Sequence, residues 1–192
     1  MGTATVPGMG GIEVVRYNYR LRPGSTAERT LLDEWHRCRF LWNEAVHQNK
    51  SGAKLTFGKL SKQLTASRKQ SSWLRAGSQV VQQQTLRTYA RALDASFTVK
   101  GRGRPRFKAR KKTLPSLEYT RRGFTLRDGR LVLAKGVSIP VVWSRQLPSE
   151  PSSVRITRDS LGALVRLVRG HPRSRTRARS VGEFGYRCRL GA

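Results

Sequence analysis

Residues 100–112, KGRGRPRFKARKK, hold eight cations in thirteen positions, and no acid occurs between Asp94 and Glu118. The chemistry open to Lys100, Arg102, Arg104, Arg106, Lys108, Arg110, Lys111 and Lys112 is neutralisation of a polyanion, because a like-charged block repels itself until counter-charge arrives. Gly101 and Gly103 let the backbone approach a partner closely, and Pro105 stiffens the exit. The whole chain leans the same way. Its 39 Lys and Arg stand against 11 Asp and Glu, a net charge of +28 and a pI near 11.7. Phosphate is the partner that such a balance implies, since each neutralised phosphate releases counterions. The plainer alternative for the run is a solvated basic linker.

Other chemistries find little material. Metal-assisted phosphodiester cleavage needs several carboxylates gathered around one or two cations. Glu28, Asp33, Glu34 and Glu44 fall on one helical stretch, where capping and surface charge account for them. Asp94 lies on another helix, Asp128 and Asp159 read as turn residues, and Glu118, Glu150 and Glu183 are isolated. His36 and His47 stand about 16 Å apart along a helix, too far to share a metal. No Walker-type phosphate loop is present. Cys38 and Cys188 belong to no C-x-x-C pair, so neither a zinc site nor a disulfide framework is expected. The expectation is therefore no catalytic residue, no metal and no cofactor. No apolar run approaches the roughly 20 residues of a membrane span, and residues 1–12 lack the pattern of a secretory leader. A cytoplasmic, nucleoid-associated protein fits these features.

The elements that must position the cations follow from periodicity. Val14 to Leu21 alternates β-branched and aromatic residues and reads as a strand stopped by Pro23-Gly24. Ser25-Thr-Ala-Glu28 has the form of a capping box. Behind it Leu31, Trp35, Cys38, Trp42 and Ala45 form the apolar stripe of a helix running to about Gln48. Thr56 is placed to cap a second helix with Phe57, Leu60 and Leu64 on one face. Ser78 is placed to cap a third, with Gln82, Leu86, Tyr89, Leu93 and Phe97 on one side and Gln79, Gln83, Arg87 and Arg91 nearer the other. Three such helices suit a small bundle or a helix-turn-helix, and periodicity does not choose. Beyond the basic run, Phe124–Leu133 reads as a hairpin about Asp128-Gly129. Short strands follow at 137–143, 153–157 and 163–168.

The expected fold class is α+β: a small β-barrel whose first strand precedes an inserted helical domain, with a disordered basic tail. Its divisions are a disordered 1–12, first strand 13–24, helical domain 25–99, basic linker 100–116, remaining barrel 117–169 and tail 170–192.

YRLRPG, CRFLWNEAV, LTFGKLSKQLT, SSWL, the glutamine-rich helix ending LDASF, GRPRFKARKK and GFTLRDGRLVLAKGVSIPV occur in that order. Together, from about Val14 to Val168, they resemble the amino-terminal half of TnpB, the transposon-encoded RNA-guided DNA endonucleases. The resemblance implies a wedge-like barrel and a helical recognition domain, helix-turn-helix-like, that grip a guide RNA and read a short motif in double-stranded DNA. By analogy the motif-reading positions would be Phe57, Gln79, Gln83, Thr120 and Arg121. A glutamine amide suits an adenine edge through two hydrogen bonds, whereas surface solvation is the other reading of both glutamines.

Family members continue into a RuvC-like nuclease domain opening with a VGIDLG-type strand whose Asp binds metal. Here Val181-Gly-Glu-Phe-Gly185 echoes that strand without the Asp, and the sequence stops seven residues later. The expectation is a truncated relative without nuclease activity, its tail explicable by a frameshift. Two alternatives stand beside it: the binding subunit of a split nuclease whose RuvC domain lies on another chain, and a structural RNA-binding protein of ribosomal type.

Overall fold

The computed structural model describes residues 13–147, 150–159 and 162–171. The predicted disorder of 1–12, the tail beyond His171 and the Val181–Gly185 echo lie outside the described residues. The first strand, β1 (Glu13–Leu21), leads into helices α1 (Ser25–Lys50), α2 (Phe57–Gln70), α3 (Ser72–Ala76) and α4 (Gln79–Thr98). After the basic segment come β2 (Ser116–Thr120), a 3-10 turn (Arg121–Gly123), β3 (Phe124–Arg127), β4 (Arg130–Leu133), β5 (Ser138–Val142), β6 (Ser153–Asp159) and β7 (Gly162–His171). The class is α+β, as the pattern implied.

One antiparallel sheet takes the order β2-β6-β7-β1-β5-β4-β3. Although β1 precedes all the helices, it lies at the centre, paired with β7 from Glu13↔His171 to Arg20↔Leu164 and with β5 at Arg20↔Val142 and Leu21↔Val141. The edge strands β2 and β3 are joined by only three residues. A seven-stranded sheet whose two edges must meet across so short a link curls into a half-barrel. The β3–β4 hairpin turns at Asp128 (φ 50°) and Gly129 (φ 72°), the pair of positive φ values that a two-residue type I′ turn requires.

Two cores share one helix. Leu31, Trp35 and Cys38 of α1 pack into the sheet's concave side with Tyr19, Leu21, Tyr119, Leu131, Ile139 and Val154. One turn later, Leu41, Trp42, Ala45 and Val46 pack instead against Leu60 and Leu64 of α2 and Leu86, Tyr89 and Leu93 of α4. The apolar stripe of α1 is thus core along its length, and the helical segment is not separable from the sheet. Cys38 is a buried apolar residue; burial pushes its thiol up to about 12, so no reactive thiolate forms there.

Several local expectations change. Helix α1 begins at Ser25 with Gly24 as its cap residue and no side-chain cap bond, so the capping box does not form, and Glu28 pairs with Arg158 at 2.9 Å instead. Thr56 does cap α2, accepting from the Lys59 amide. Ser78 holds the cap position of α4, yet its hydroxyl makes no cap bond. Phe97 is 65% exposed, because the last turn of α4 runs past the edge of its core. Strand β2 has no counterpart in the pattern reading, and β7 continues to His171, past the Val168 expected from its apolar run.

The largest departure is Glu34. Expected at the surface, it is buried, and its Oε2 accepts the Ser78 amide at 2.9 Å. The Gln82 amide, fully buried, donates to Glu34 and to the Leu74 carbonyl, while Arg68 donates to Gln82 Oε1 at 2.6 Å and to Leu74 and Gly77 carbonyls. Arg37 closes the network from 3.6 Å. The network satisfies the Ser78 amide and the Leu74 and Gly77 carbonyls of the α3–α4 turn, while the buried Ser78 hydroxyl has no hydrogen-bond partner among the described residues. Burial is the largest influence on the Glu34 carboxyl and raises it above its ordinary value, against the Ser78 amide, Arg37, Gln82 and Arg68, which act to lower it.

Candidate nucleic-acid interface

The basic run leaves α4 through a turn in which Arg102 N–H donates to the Val99 carbonyl and Gly101 adopts φ 81°, a conformation that favours glycine. From there the chain has no regular structure to Ala109, yet it is held. Asn43 of α1 grips the Lys108 peptide from both sides: the Lys108 amide donates to Oδ1 at 2.8 Å, and Nδ2 donates to the Lys108 carbonyl at 3.2 Å. Trp42 Nε1 donates to the Arg106 carbonyl at 2.9 Å. These bonds do the work of a β-partner and lay the segment along α1.

The eight cations are consequently not equivalent. Lys108 is half-buried, its ammonium 3.7 Å from the centre of the Trp42 ring, and desolvation lowers its pKa. It anchors the segment. Lys100, Arg102, Arg104, Arg106, Arg110, Lys111 and Lys112 are exposed. Arg104 lies over Phe97 at 5.4 Å, and Lys50 of α1 lies over Phe107 at 4.8 Å. Among the described residues no carboxylate pairs with Arg102, Arg104 or Arg106. Fixed, solvated and unpaired guanidinium groups suit phosphate oxygens, which they can bind bidentately.

The predicted motif-reading residues fall into two neighbouring places. Gln79 and Gln83 occupy the first turns of α4, the former exposed and the latter half-buried, with Arg87 and Arg91 continuing the row at four-residue spacing. Val80 beside them meets the 3-10 turn so closely that a Cβ on Gly123 would lie 3.0 Å from its Cγ1. That contact seats the start of α4 next to Thr120, half-buried at the end of β2, and Arg121, whose exposed guanidinium pairs with Glu150 at 3.0 Å. Such an exposed pair contributes little and is easily exchanged for another anion. Phe57 stands apart from this corner. Its ring is half-buried against the helical core under Arg87, at 4.8 Å, in a shallow cavity with Thr56, Ala90, Arg91 and Asp94.

Trp42 and Asn43 escaped the sequence reading as interface residues, although CRFLWNEAV contains them. An amide directly after a stripe residue was the available signal. Among the described residues, no three of His, Cys, Asp and Glu gather as a metal site would require, and no helix is long and apolar enough to cross a membrane.

No protein-family model matches the chain. A curated protein of Streptomyces pristinaespiralis named "Putative RNA-guided DNA endonuclease" is 46% identical to it over 88 residues, 44% of this chain. The chain spans 22% of the length of that relative. A segment of this chain is therefore homologous to part of a protein so named, in agreement with the resemblance carried by the ordered motifs.

Proposed function

We propose that these residues form the nucleic-acid-binding portion of a TnpB-like protein, gripping a guide RNA and contacting a short motif in double-stranded DNA. The cleavage chemistry of such proteins is not carried by the residues described. The observation that carries this reading is the cationic arm: three arginines presented outward from a segment whose backbone is pinned to α1 by Asn43 and Trp42. A solvated linker needs no such fastening. The homology to a protein named as RNA-guided narrows the polyanion to RNA and DNA. In this reading the arm follows phosphates, while Gln79 and Gln83 of α4, with Thr120 and Arg121, face base edges.

The test is to purify the chain from its host and sequence the copurifying nucleic acid. One dominant RNA from the end of its own transposon supports the reading. A mixture that mirrors cellular abundance defeats it. Gln83→Ala should change discrimination among DNA motifs and leave non-specific binding almost intact; equal loss on every duplex would remove Gln83 from base reading.

A further inference from the structure

An open cavity of about 580 Å³ lies between the β3–β4 turn and the residues following β5. Its size falls in the range of small-molecule sites, roughly 300–1,000 Å³. Trp143 forms one wall and is held there: Nε1 donates to the Gly129 carbonyl at 3.0 Å, and the ring packs on Tyr19 with centroids 4.9 Å apart. Trp143 as a whole nevertheless remains 36% exposed. Leu126 and Leu147 supply further apolar lining, and the exposed Arg127 and Arg145 stand at the rim. Two acids also line the cavity: the exposed Glu150, which pairs with Arg121, and Asp128 in the type I′ turn. The Tyr19 hydroxyl behind Trp143 is buried with no hydrogen-bond partner among the described residues, and burial raises its pKa while Arg145 acts to lower it.

A held indole face lining the same cavity as two guanidinium groups that pair with no carboxylate among the described residues matches a flat aromatic ligand that carries negative charge. A base within a duplex is stacked on its neighbours and cannot offer its face, so the ligand must be unpaired. We propose that this cavity receives one unpaired nucleotide of a bound strand, its base stacked on Trp143 and its phosphate held by Arg127 and Arg145. The site rests on the nucleic-acid reading above, but it uses none of the arm residues. It also adjoins the Thr120–Arg121 corner through the Arg121–Glu150 pair, so a strand leaving that corner reaches it directly.

Trp73→Phe removes the other exposed indole. The buried Trp35 and Trp42 still emit and Trp42 touches the arm, so the signal read is the part of the quenching lost on adding Trp143→Phe. In that background, 12-nucleotide single-stranded RNA and DNA should each quench emission, and a 12-base-pair duplex should not. Quenching by RNA alone would still support the site and add a 2′-hydroxyl contact. Trp143→Ala should weaken single-strand binding about 5- to 150-fold. Arg145→Ala, at an exposed position with no folding risk, should lower the salt slope by about one. Equal quenching by duplex, or single-strand affinity and salt slope unchanged in a folded Arg145→Ala with Trp143→Ala equally silent, would overturn the site. Should wild-type chain bind no oligonucleotide, or bind with no dependence on Arg102, Arg104 and Arg106, the nucleic-acid reading itself fails, which is a separate result.

Discussion

Replacing Arg102, Arg104 and Arg106 together by Ala tests whether the arm meets phosphate. All three are exposed and carry no carboxylate partner among the described residues, and the backbone between them is fastened through Arg106 and Lys108 carbonyls that the substitutions leave in place. The variant should therefore keep its circular dichroism spectrum and melting temperature. If each arginine neutralises one phosphate, the slope of log K against log salt becomes shallower by about 2.7 on duplex and about 2.1 on single strands. Near physiological salt the same relation corresponds to roughly a hundredfold weaker binding. Fluorescence anisotropy between 50 and 300 mM KCl measures both quantities, those bounds being about a twofold to threefold change in Debye length. Lys108→Ala is the control. Its ammonium is spent on the Trp42 ring, so its loss should lower stability by about 1 kcal/mol and leave the slope almost unchanged. A slope change below about one in the triple variant, or one no greater than that of Lys108→Ala, would refute the assignment of the arm to phosphate.

Asn43→Ala should release the arm without unfolding the protein, seen as trypsin cleavage within 102–112 at least about tenfold faster and loss of Lys108 amide protection in hydrogen exchange; unchanged cleavage would mean that the arm is held elsewhere. Gly77→Ala would place a Cβ 2.6 Å from both Glu34 Oε2 and Gln82 Nε2, within a network that has no slack, and should cost about 1–3 kcal/mol in urea denaturation. Glu34 titrates above its ordinary value when folded, so its contribution to stability is greatest at low pH and declines as pH rises through its raised pKa. The stability of Glu34→Gln relative to wild type should accordingly rise with pH across that window and then level off. Parallel stability curves would show that the Glu34 carboxyl is not perturbed.

Where a residue's environment repeats with the chain, the sequence is enough to read it. Leu31, Trp35, Cys38, Trp42 and Ala45 announce their burial by spacing, and Asp128-Gly129 announces its turn because few other residues accept two positive φ values. Thr56 is legible for the same local reason. Glu34 is not, since a polar side chain on a helix looks identical in sequence whether it meets water or a buried partner some forty positions away. Spacing puts Gln82 on the apolar side of α4, but its bond to Glu34 is equally hidden. Strand β2 is hidden too. Ser116–Thr120 is short and carries Glu118, whose charge is satisfied across the sheet by Arg155 at 2.7 Å and by Gln84 of α4. Of the candidate site, the arm's charges were visible, but the distinction between anchoring Lys108 and its exposed neighbours was not. It depends on Trp42 and Asn43, more than sixty residues earlier.

Helix α1 extends about 39 Å and spends its 26 residues on two cores in succession. A recombination event that exchanged the helical segment for a foreign one would leave the sheet without Leu31, Trp35 and Cys38. Exchanging only α2 to α4 would instead strand Leu41, Trp42, Ala45 and Val46 against helices that never met them. The two halves must be inherited together. Diversification is then channelled to the outward positions of α4, the corner at Thr120 and Arg121, and the arm, where a new side chain opens neither core and lineages can drift apart in what they contact while keeping one scaffold.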